Sequence, residues 1–341
     1  MSTSKRILVT GGAGYIGAHT VVELIHSGYE PVIVDNLSAS DTTLLEGIEK
    51  ITGTKPNFHK GDCRDKNFLN NVFKSEGPIQ CVMHFAAFKS VGESVQKPLE
   101  YHQNNLDSLM VVLEVMRAHS VTDFIFSSSC TVYGQPDQIP VNEQAPFKRA
   151  ESPYGATKQL CERILEDVHS TCFRIVSLRY FNPIGAHPSA LLGELPIGVP
   201  NNLVPYVTQT AAGIRKELTV FGNDYDTPDG SCIRDFIHVV DLAKVHVKAL
   251  EYLLQHSEKN LYDAFNVGTG KGVSVLELIH TFVESTGVKL PFAIGARRPG
   301  DVEKVYADPA RANKLFNWKT EYSLKDALQH AWAWEKKVRN M

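Results

Sequence analysis

The sequence has no C-x-x-C pair, no long apolar run and no large excess of either charge. Its six cysteines, Cys63, Cys81, Cys130, Cys161, Cys172 and Cys232, are scattered along the chain, which predicts reduced, mostly buried thiols rather than a disulfide framework. No stretch reaches the roughly 18 apolar residues that span a bilayer, so no membrane partner is expected. The amino end, Met1 to Arg6, is followed by only three large apolar residues, Ile7 to Val9, and then glycine. No signal-peptide core is read there, and a cytoplasmic location is expected. With 35 Lys+Arg against 38 Asp+Glu the formal charge is −3. A protein held to nucleic acid by phosphate contacts would carry a basic excess, so no nucleic-acid partner is expected.

What is present is an ordinary globular composition: 341 residues, 43% hydrophobic and 21% charged. That length implies one or two domains with a core large enough to need neither disulfide nor structural metal. Short apolar runs alternate with helix-like stretches in the first half. Strands are expected at residues 7–10, 31–35, 58–60, 81–85, 123–127 and 174–180, and helices near 15–27, 99–119 and 153–169. Such alternation predicts an α/β protein with a Rossmann-type, doubly wound parallel sheet. Residues 182–234 hold six of the 17 prolines, where even spreading would place about three. The expected division is therefore a Rossmann-type domain over 1–181 and a smaller α/β domain over 182–341, with a return segment near 235–267 that can rejoin the first. Further helices are expected near 241–256, 276–283 and 324–338.

Between the first strand and helix, Gly11, Gly14 and Gly17 stand in G-x-x-G-x-x-G spacing, the arrangement that admits a tight turn, a close pyrophosphate and close helix–strand packing. The exposed N–H groups of the helix start would face the phosphates. Asp35 follows Gly11 by 24 residues at the end of the second strand, placed to accept hydrogen bonds from an adenosine ribose and to repel a 2′-phosphate, which favours NAD. Asp62, after the strand at 58–60, is a second candidate near the adenine.

Tyr154 and Lys158 form the one Tyr-x-x-x-Lys in the chain, with Pro153 suited to a first helical turn. Spacing i,i+4 places both on one helix face, where an ammonium would stabilise a phenolate whose ordinary pKa is near 10. Ser127, Ser128 and Ser129 end an apolar strand 25 residues upstream of Tyr154, and a hydroxyl there reaches either the ligand edge of the sheet or the strand's own backbone. His84, His187 and His238 are irregularly spaced with no accompanying Cys or Asp/Glu cluster, so they read as structural and no metal is predicted.

The glycine turn, the serine triplet and Tyr154-x-x-x-Lys158 together resemble the extended short-chain dehydrogenase/reductases. The stretches at 84–94, 179–183, 200–203, 221–225 and 234–239 are similar to the UDP-glucose 4-epimerase family within that superfamily, and the resemblance runs from Lys5 to about Trp334. It implies an NAD-dependent isomerase that interconverts UDP-glucose and UDP-galactose through a transient 4-keto sugar and enzyme-bound NADH. Tyr154 would take the proton of the sugar 4-hydroxyl, Ser129 would bond that hydroxyl, and Lys158 would hold the nicotinamide ribose. The resemblance assigns NAD contacts to Gly11, Gly14, Tyr15, Ile16, Gly17, Asp35, Asn36, Asp62, Cys63, Phe85, Ala86, Lys89, Asn104 and Phe181, besides Tyr154 and Lys158. It assigns UDP-sugar contacts to Ser129, Asn182, Asn202, Leu203, Phe221, Arg234, Arg298, Asp301 and Val305, and it implies a homodimer through the stretches 99–119 and 153–169. Cys130 departs from the usual alanine and reads as a buried thiol. Val305 stands where a bulky tyrosine restricts the sugar 2-substituent, which implies some turnover of UDP-N-acetylglucosamine.

Rival expectations come from the same skeleton. A nucleotide-sugar 4,6-dehydratase needs an acid pair directly after the active-site hydroxyl residue, and Cys130, Thr131 and Val132 supply none. A UDP-glucuronate or UDP-xylose 4-epimerase stays open, as does a non-catalytic NAD-binding regulator.

Overall fold

The computed structural model describes residues 5–298 and 301–341, so Met1 to Ser4 of the amino-terminal reading lie outside the described residues. Strand β1 (Arg6–Thr10) runs through the glycine turn into α1 (Tyr15–His26), and β2 (Glu30–Asp35) follows. Then come α2 (Thr43–Thr52), β3 (Asn57–Lys60), α3 (Lys66–Glu76) and β4 (Ile79–His84). Two helices in tandem, α4 (Val91–Gln96) and α5 (Pro98–Ala118), lead to β5 (Asp123–Ser129). A 3-10 turn at Cys130–Tyr133 and a long loop precede α6 (Pro153–Cys172) and β6 (Arg174–Tyr180).

The remaining elements are shorter: β7 (Asn182–Ile184), α7 (Leu203–Ala211), β8 (Leu218–Phe221), β9 (Ile233–Arg234) and β10 (Phe236–His238). Helix α8 (Val239–Gln255) and strand β11 (Leu261–Val267) follow. The chain closes with β12 (Val273–Ser274), α9 (Val275–Thr286), β13 (Phe292–Gly295), β14 (Lys304–Val305), α10 (Ala310–Leu315) and α11 (Leu324–Val338).

Seven strands form one parallel sheet in the order β11-β6-β5-β4-β1-β2-β3, the doubly wound arrangement expected from the sequence. The order reverses between β1 and β4, so a crevice opens beyond their carboxyl ends, which is where ligands bind in such sheets. Apolar residues alternate to both faces. Ile7, Val9, Ile33, Met83 and Ile125 pack with α1 and α8 on one side, while Leu8, Val32, Val82, Phe124 and Phe126 pack with α3, α5 and α6 on the other. Strand β11 joins the sheet edge beside β6 over Leu261–Val267, and α8 lies against α1, so the stretch from 239 to 267 sits on the parallel sheet.

A separate apolar cluster joins α7, α9 and α11 through Val204, Val207, Leu278, Phe282, Leu328 and Trp332. Short pairings, β7 with β10, β8 with β13, and β9 with β12 and β14, tie the irregular second half together. Helices α9 and α11 each begin with a complete capping box, Ser274 with Glu277 and Ser323 with Asp326. Among the described residues no helix is long and apolar enough to cross a membrane, and all six cysteines are free thiols.

Candidate active site

The site begins at the glycine turn. Gly11 sits at φ +72°, and a Cβ there would come within 2.7 Å of the Ala86 backbone nitrogen. A Cβ on Gly17 would meet the Gly11 carbonyl oxygen at 2.3 Å, so the helix can approach the strand only without a side chain. Gly14 caps α1 without any side-chain hydrogen bond, and no acidic residue occupies the first turn. The helix start is therefore an open set of donors at the positive end of a helix of 12 residues.

Asp35 ends β2 half-buried, and its carboxylate accepts from the backbone nitrogens of Ala13 (3.1 Å) and Leu37 (2.8 Å). Burial raises its pKa while those bonds pull it back. Asn36 donates to Asp62 at 3.3 Å, so the structure brings these two predicted residues together. Arg64, which the sequence reading passed over, grips Asp62 through Nη2 at 2.7 Å and Nε at 3.0 Å and holds that carboxyl below its usual range. Cys63 is buried beside them, its thiol pushed up to about 12 by burial.

On the other side of the turn, Phe85 donates its backbone N–H to the Thr10 carbonyl at 2.9 Å, which fixes Phe85 and Ala86 against Gly11. Lys89 reaches Glu194 at 3.0 Å, and Asn202, the cap of α7, donates to the same Glu194 oxygen at 2.6 Å. Glu194, absent from the sequence expectations, thus links a predicted cofactor residue to a predicted substrate residue. Leu203 opens α7 directly after Asn202. Tyr15 donates to the Gly185 carbonyl at 2.7 Å, Ile16 packs against the core next to it, and Asn104 donates to Asn105 at 3.0 Å.

Tyr154 and Lys158 lie in the first turns of α6. Ser152 caps that helix by accepting from the Gly155 nitrogen at 3.2 Å, and Pro153 fills the first position. The Tyr154 side chain is half-buried. Burial pushes the phenol well above its ordinary value, and the neighbouring Ser129 hydroxyl works against that rise. Ser129 accepts from the Thr131 nitrogen at 3.2 Å, the backbone role open to a strand-end serine. Lys158 is buried, donates to the Ser127 carbonyl at 2.6 Å and sits 4.7 Å from the Phe126 ring and 5.9 Å from the Tyr154 ring. Burial pulls its pKa down to about 8.

Beyond the serine, the Cys130 thiol is pushed up to about 12 by burial, a small inert filler rather than a nucleophile. The buried Thr131 hydroxyl has no partner among the described residues, a polar atom beside Ser129 that sequence reasoning missed. No carboxylic acid follows Ser129 in the turn, in line with the absence of a dehydratase acid pair.

The second half supplies the opposite wall. Phe181 and Val305 are buried in one cluster with Val132, Tyr133 and Val141. Asn182 begins β7 with its N–H on the Asp235 carbonyl at 2.9 Å. Asp301 holds Arg298 at 2.7 Å and Arg234 at 3.7 Å, so two guanidinium groups converge on one carboxylate and leave one positive charge in excess. Arg298 also lies 5.4 Å from the Phe221 ring, which is 42% exposed at the end of β8 and so offers a face for stacking. His84 shares a hydrogen with Thr10 at 2.7 Å, His187 with Ser189 at 2.8 Å, and His238 caps α8, so each of the three histidines has an internal partner.

An open helix start at a glycine turn, an acidic residue closing β2, and a strand-end serine beside the tyrosine of a Tyr-x-x-x-Lys helix define an extended short-chain dehydrogenase/reductase. The family model described as GDP-mannose 4,6 dehydratase matches residues 8–331. A UDP-glucose 4-epimerase of Dictyostelium discoideum is 49% identical over 332 residues, covering 97% of this chain and 95% of that protein. The UDP-glucose 4-epimerase of Bacillus subtilis (strain 168) is 48% identical, covering 96% of each chain. A crystal structure of UDP-glucose 4-epimerase from Bifidobacterium longum in complex with NAD+ and UDP matches with a TM-score of 0.94 at 48% identity, over 98% of this chain and 99% of that one. The chain belongs to the UDP-glucose 4-epimerase family.

Proposed function

We propose that the protein interconverts UDP-glucose and UDP-galactose by inverting C4 of the hexose. The observation that carries this reading is the junction of Ser129, Tyr154 and Lys158 at the carboxyl end of β5, in a chain nearly half identical to UDP-glucose 4-epimerases over almost its full length. NAD fits the residues present: a Cβ would fill the cradle at Gly11 and Gly17, and the start of α1 carries no competing side-chain cap. Gly11, Gly14, Tyr15, Ile16 and Gly17 would hold its diphosphate, Asp35, Asn36, Asp62 and Cys63 its adenosine, and Phe85, Ala86, Lys89, Asn104, Lys158 and Phe181 its nicotinamide end. When bound, NAD supplies a reversible acceptor for the hydride of the sugar.

The chain's own residues manage the proton. Tyr154 Oη takes it from the sugar 4-hydroxyl and returns it on completion, so no net proton is exchanged. Ser129 bonds the same hydroxyl and draws the phenol pKa down, and the Lys158 ammonium stabilises the phenolate. Arg234 and Arg298, gathered by Asp301, meet the diphosphate with forked donors, and Asn182, Asn202, Leu203 and Phe221 line the remainder of the nucleotide sugar.

Val305 bears on the substrate range. It is 6% exposed and packed with Phe181 and Tyr133, where a short side chain leaves room beside the sugar 2-substituent. We therefore include UDP-N-acetylhexosamines among the substrates. The test is an epimerisation assay on UDP-galactose, UDP-N-acetylgalactosamine, UDP-galacturonate and UDP-xylose with purified protein. Turnover of UDP-galactose is expected, and its absence would overturn the function in favour of a uronate or pentose epimerase, or of a non-catalytic regulator. In Val305→Tyr, kcat/KM for UDP-N-acetylgalactosamine relative to UDP-galactose is expected to fall at least about tenfold, since pocket size discriminates by such factors. An unchanged ratio removes Val305 from the specificity argument.

Two further features belong to this reading. Leu99 (79% exposed), Val95, Met110 and Leu160 present apolar surface on α4, α5 and α6, which a second copy of the chain would cover in a homodimer. Sedimentation at twice the 37.8 kDa chain mass is the expected result, and a monomer would refute it. Free thiols throughout are consistent with a reducing, cytoplasmic location.

A further inference from the structure

Directly behind the serines of β5 lies a buried ion pair that the proposed chemistry does not use. Glu162 and Arg179 are 0% and 5% exposed along their side chains. The carboxylate accepts from Arg179 Nη2 at 2.6 Å and Nε at 3.0 Å, from the Tyr262 hydroxyl at 3.0 Å, and from the Ser128 hydroxyl. Ser128 and Arg179 are register partners on β5 and β6, so their side chains leave the same face of the sheet and meet the one carboxylate.

The placement ties this pair to the site in three ways. Glu162 continues the stripe of α6 that carries Tyr154 and Lys158, at successive intervals of four. Ser128 immediately precedes Ser129. Arg179 Nη1 donates to the Tyr133 hydroxyl at 2.9 Å, and Tyr133, which ends the turn following Ser129, donates to Asn266 at 2.7 Å. The backbone on both flanks of Ser129 is thus anchored to the group that is rigidly attached to the helix of Tyr154 and Lys158. A buried ion pair is poorly explained by stability alone, because apolar residues of similar volume often serve as well.

We propose that Glu162, clamped by Arg179, is a positioning residue that holds Ser129 in place beside Tyr154 and keeps a negative charge one turn from Lys158. The inference rests on the proposed epimerase reading for its kinetic part only. The groups facing Lys158 are Tyr154, Cys161 and Glu162 from its own helix, His84 from β4, and the Ser127 carbonyl and Phe126 ring from β5. His84 is buried and held neutral at working pH, so Glu162 is the carboxylate among them.

The test compares the purified protein with Ser128→Ala, Ser128→Thr and Glu162→Gln. Ser128→Ala is expected to lower kcat for UDP-galactose about tenfold with KM within about twofold, the pattern of a misplaced catalytic group. Ser128→Thr, which keeps the hydroxyl, restores most of it. Glu162→Gln moves the alkaline limb of kcat to lower pH, because the ammonium of Lys158 loses the charge that favours it. Independently of turnover, the Tyr154 phenol, titrated by ultraviolet difference against each protein's Tyr154→Phe counterpart, shifts upward in Ser128→Ala as Ser129 loosens. Wild-type kcat and an unmoved phenol in Ser128→Ala overturn the inference, whether or not Glu162→Gln folds. An inactive wild type overturns the function, while the phenol titration still decides the positioning role.

Discussion

Tyr154→Phe is expected to lose about 10²–10⁴-fold in kcat on UDP-galactose, the range general acid–base groups supply, with its fold and bound NAD retained. The substitution keeps the ring and removes one oxygen, so the packing of α6 against β5 has no reason to change. What disappears is the atom proposed to hold and return the sugar's proton in turn. Burial leaves this phenol reluctant to ionise, and the neighbouring Ser129 hydroxyl is the compensating force. A residue so placed does little for stability and much for a reaction that needs an oxyanion at that point. Initial rates together with NAD released on denaturation check the prediction. Wild-type turnover in the variant would dismiss Tyr154 as the proton carrier, and equal loss of NAD and turnover would recast it as a binding residue.

The parts of the site that the sequence made legible are those built within one short segment. The glycine spacing is local, so Gly11, Gly14 and Gly17 could be assigned their turn before any fold was known, and the i,i+4 rule placed Tyr154 beside Lys158. The parallel sheet was legible because strands buried on both faces read as continuous apolar runs. Helices α2 and α3 were not read. The former contains Gly47, where a Cβ would come within 2.3 Å of the Leu191 carbonyl oxygen, and the latter carries Asn67, Asn70 and Asn71, which dilute the helical signal. Helix α7 was hidden by Pro205 near its start.

Long-range partners were the least legible. Glu194 joins Lys89 across 105 positions, and Asp301, a near neighbour of Arg298 in sequence, also reaches the distant Arg234, so no local pattern announces either long-range link. The two arginines are paired with a carboxylate that the resemblance assigns to the same substrate. The Glu162–Arg179 pair shows the limit best: the interval from 158 to 162 is visible in the sequence, whereas the strand register that delivers Ser128 and Arg179 to it is not.

Lys158→Met is expected to lose about 10²–10³-fold in activity at neutral pH, recovering partly as pH rises, because the phenol must then ionise without its nearest cation. In the wild type the same ammonium is expected to set an alkaline limit, with activity falling as pH climbs through about 8 and Lys158 gives up its proton. The stability effect runs the other way. Unfolded, this lysine binds its proton up to about 10.4, whereas in the fold it does so only up to about 8. Below 8 both states are charged and the folded protein bears the full desolvation penalty. Between those two values the unfolded state binds more protons, so wild-type stability from this group rises with pH. A shift of that size corresponds to about 3 kcal/mol. The methionine variant carries no such penalty at any pH. Its stability relative to wild type is therefore largest below pH 8 and shrinks by about 3 kcal/mol on going to pH 10.5, while the lost bond to the Ser127 carbonyl lowers it by about 1 kcal/mol at every pH. Denaturant unfolding of both proteins across that range is the measurement. A stability difference that stays flat with pH would mean that Lys158 is not held against its desolvation, and the electrostatic role assigned to it beside Tyr154 would fall with it.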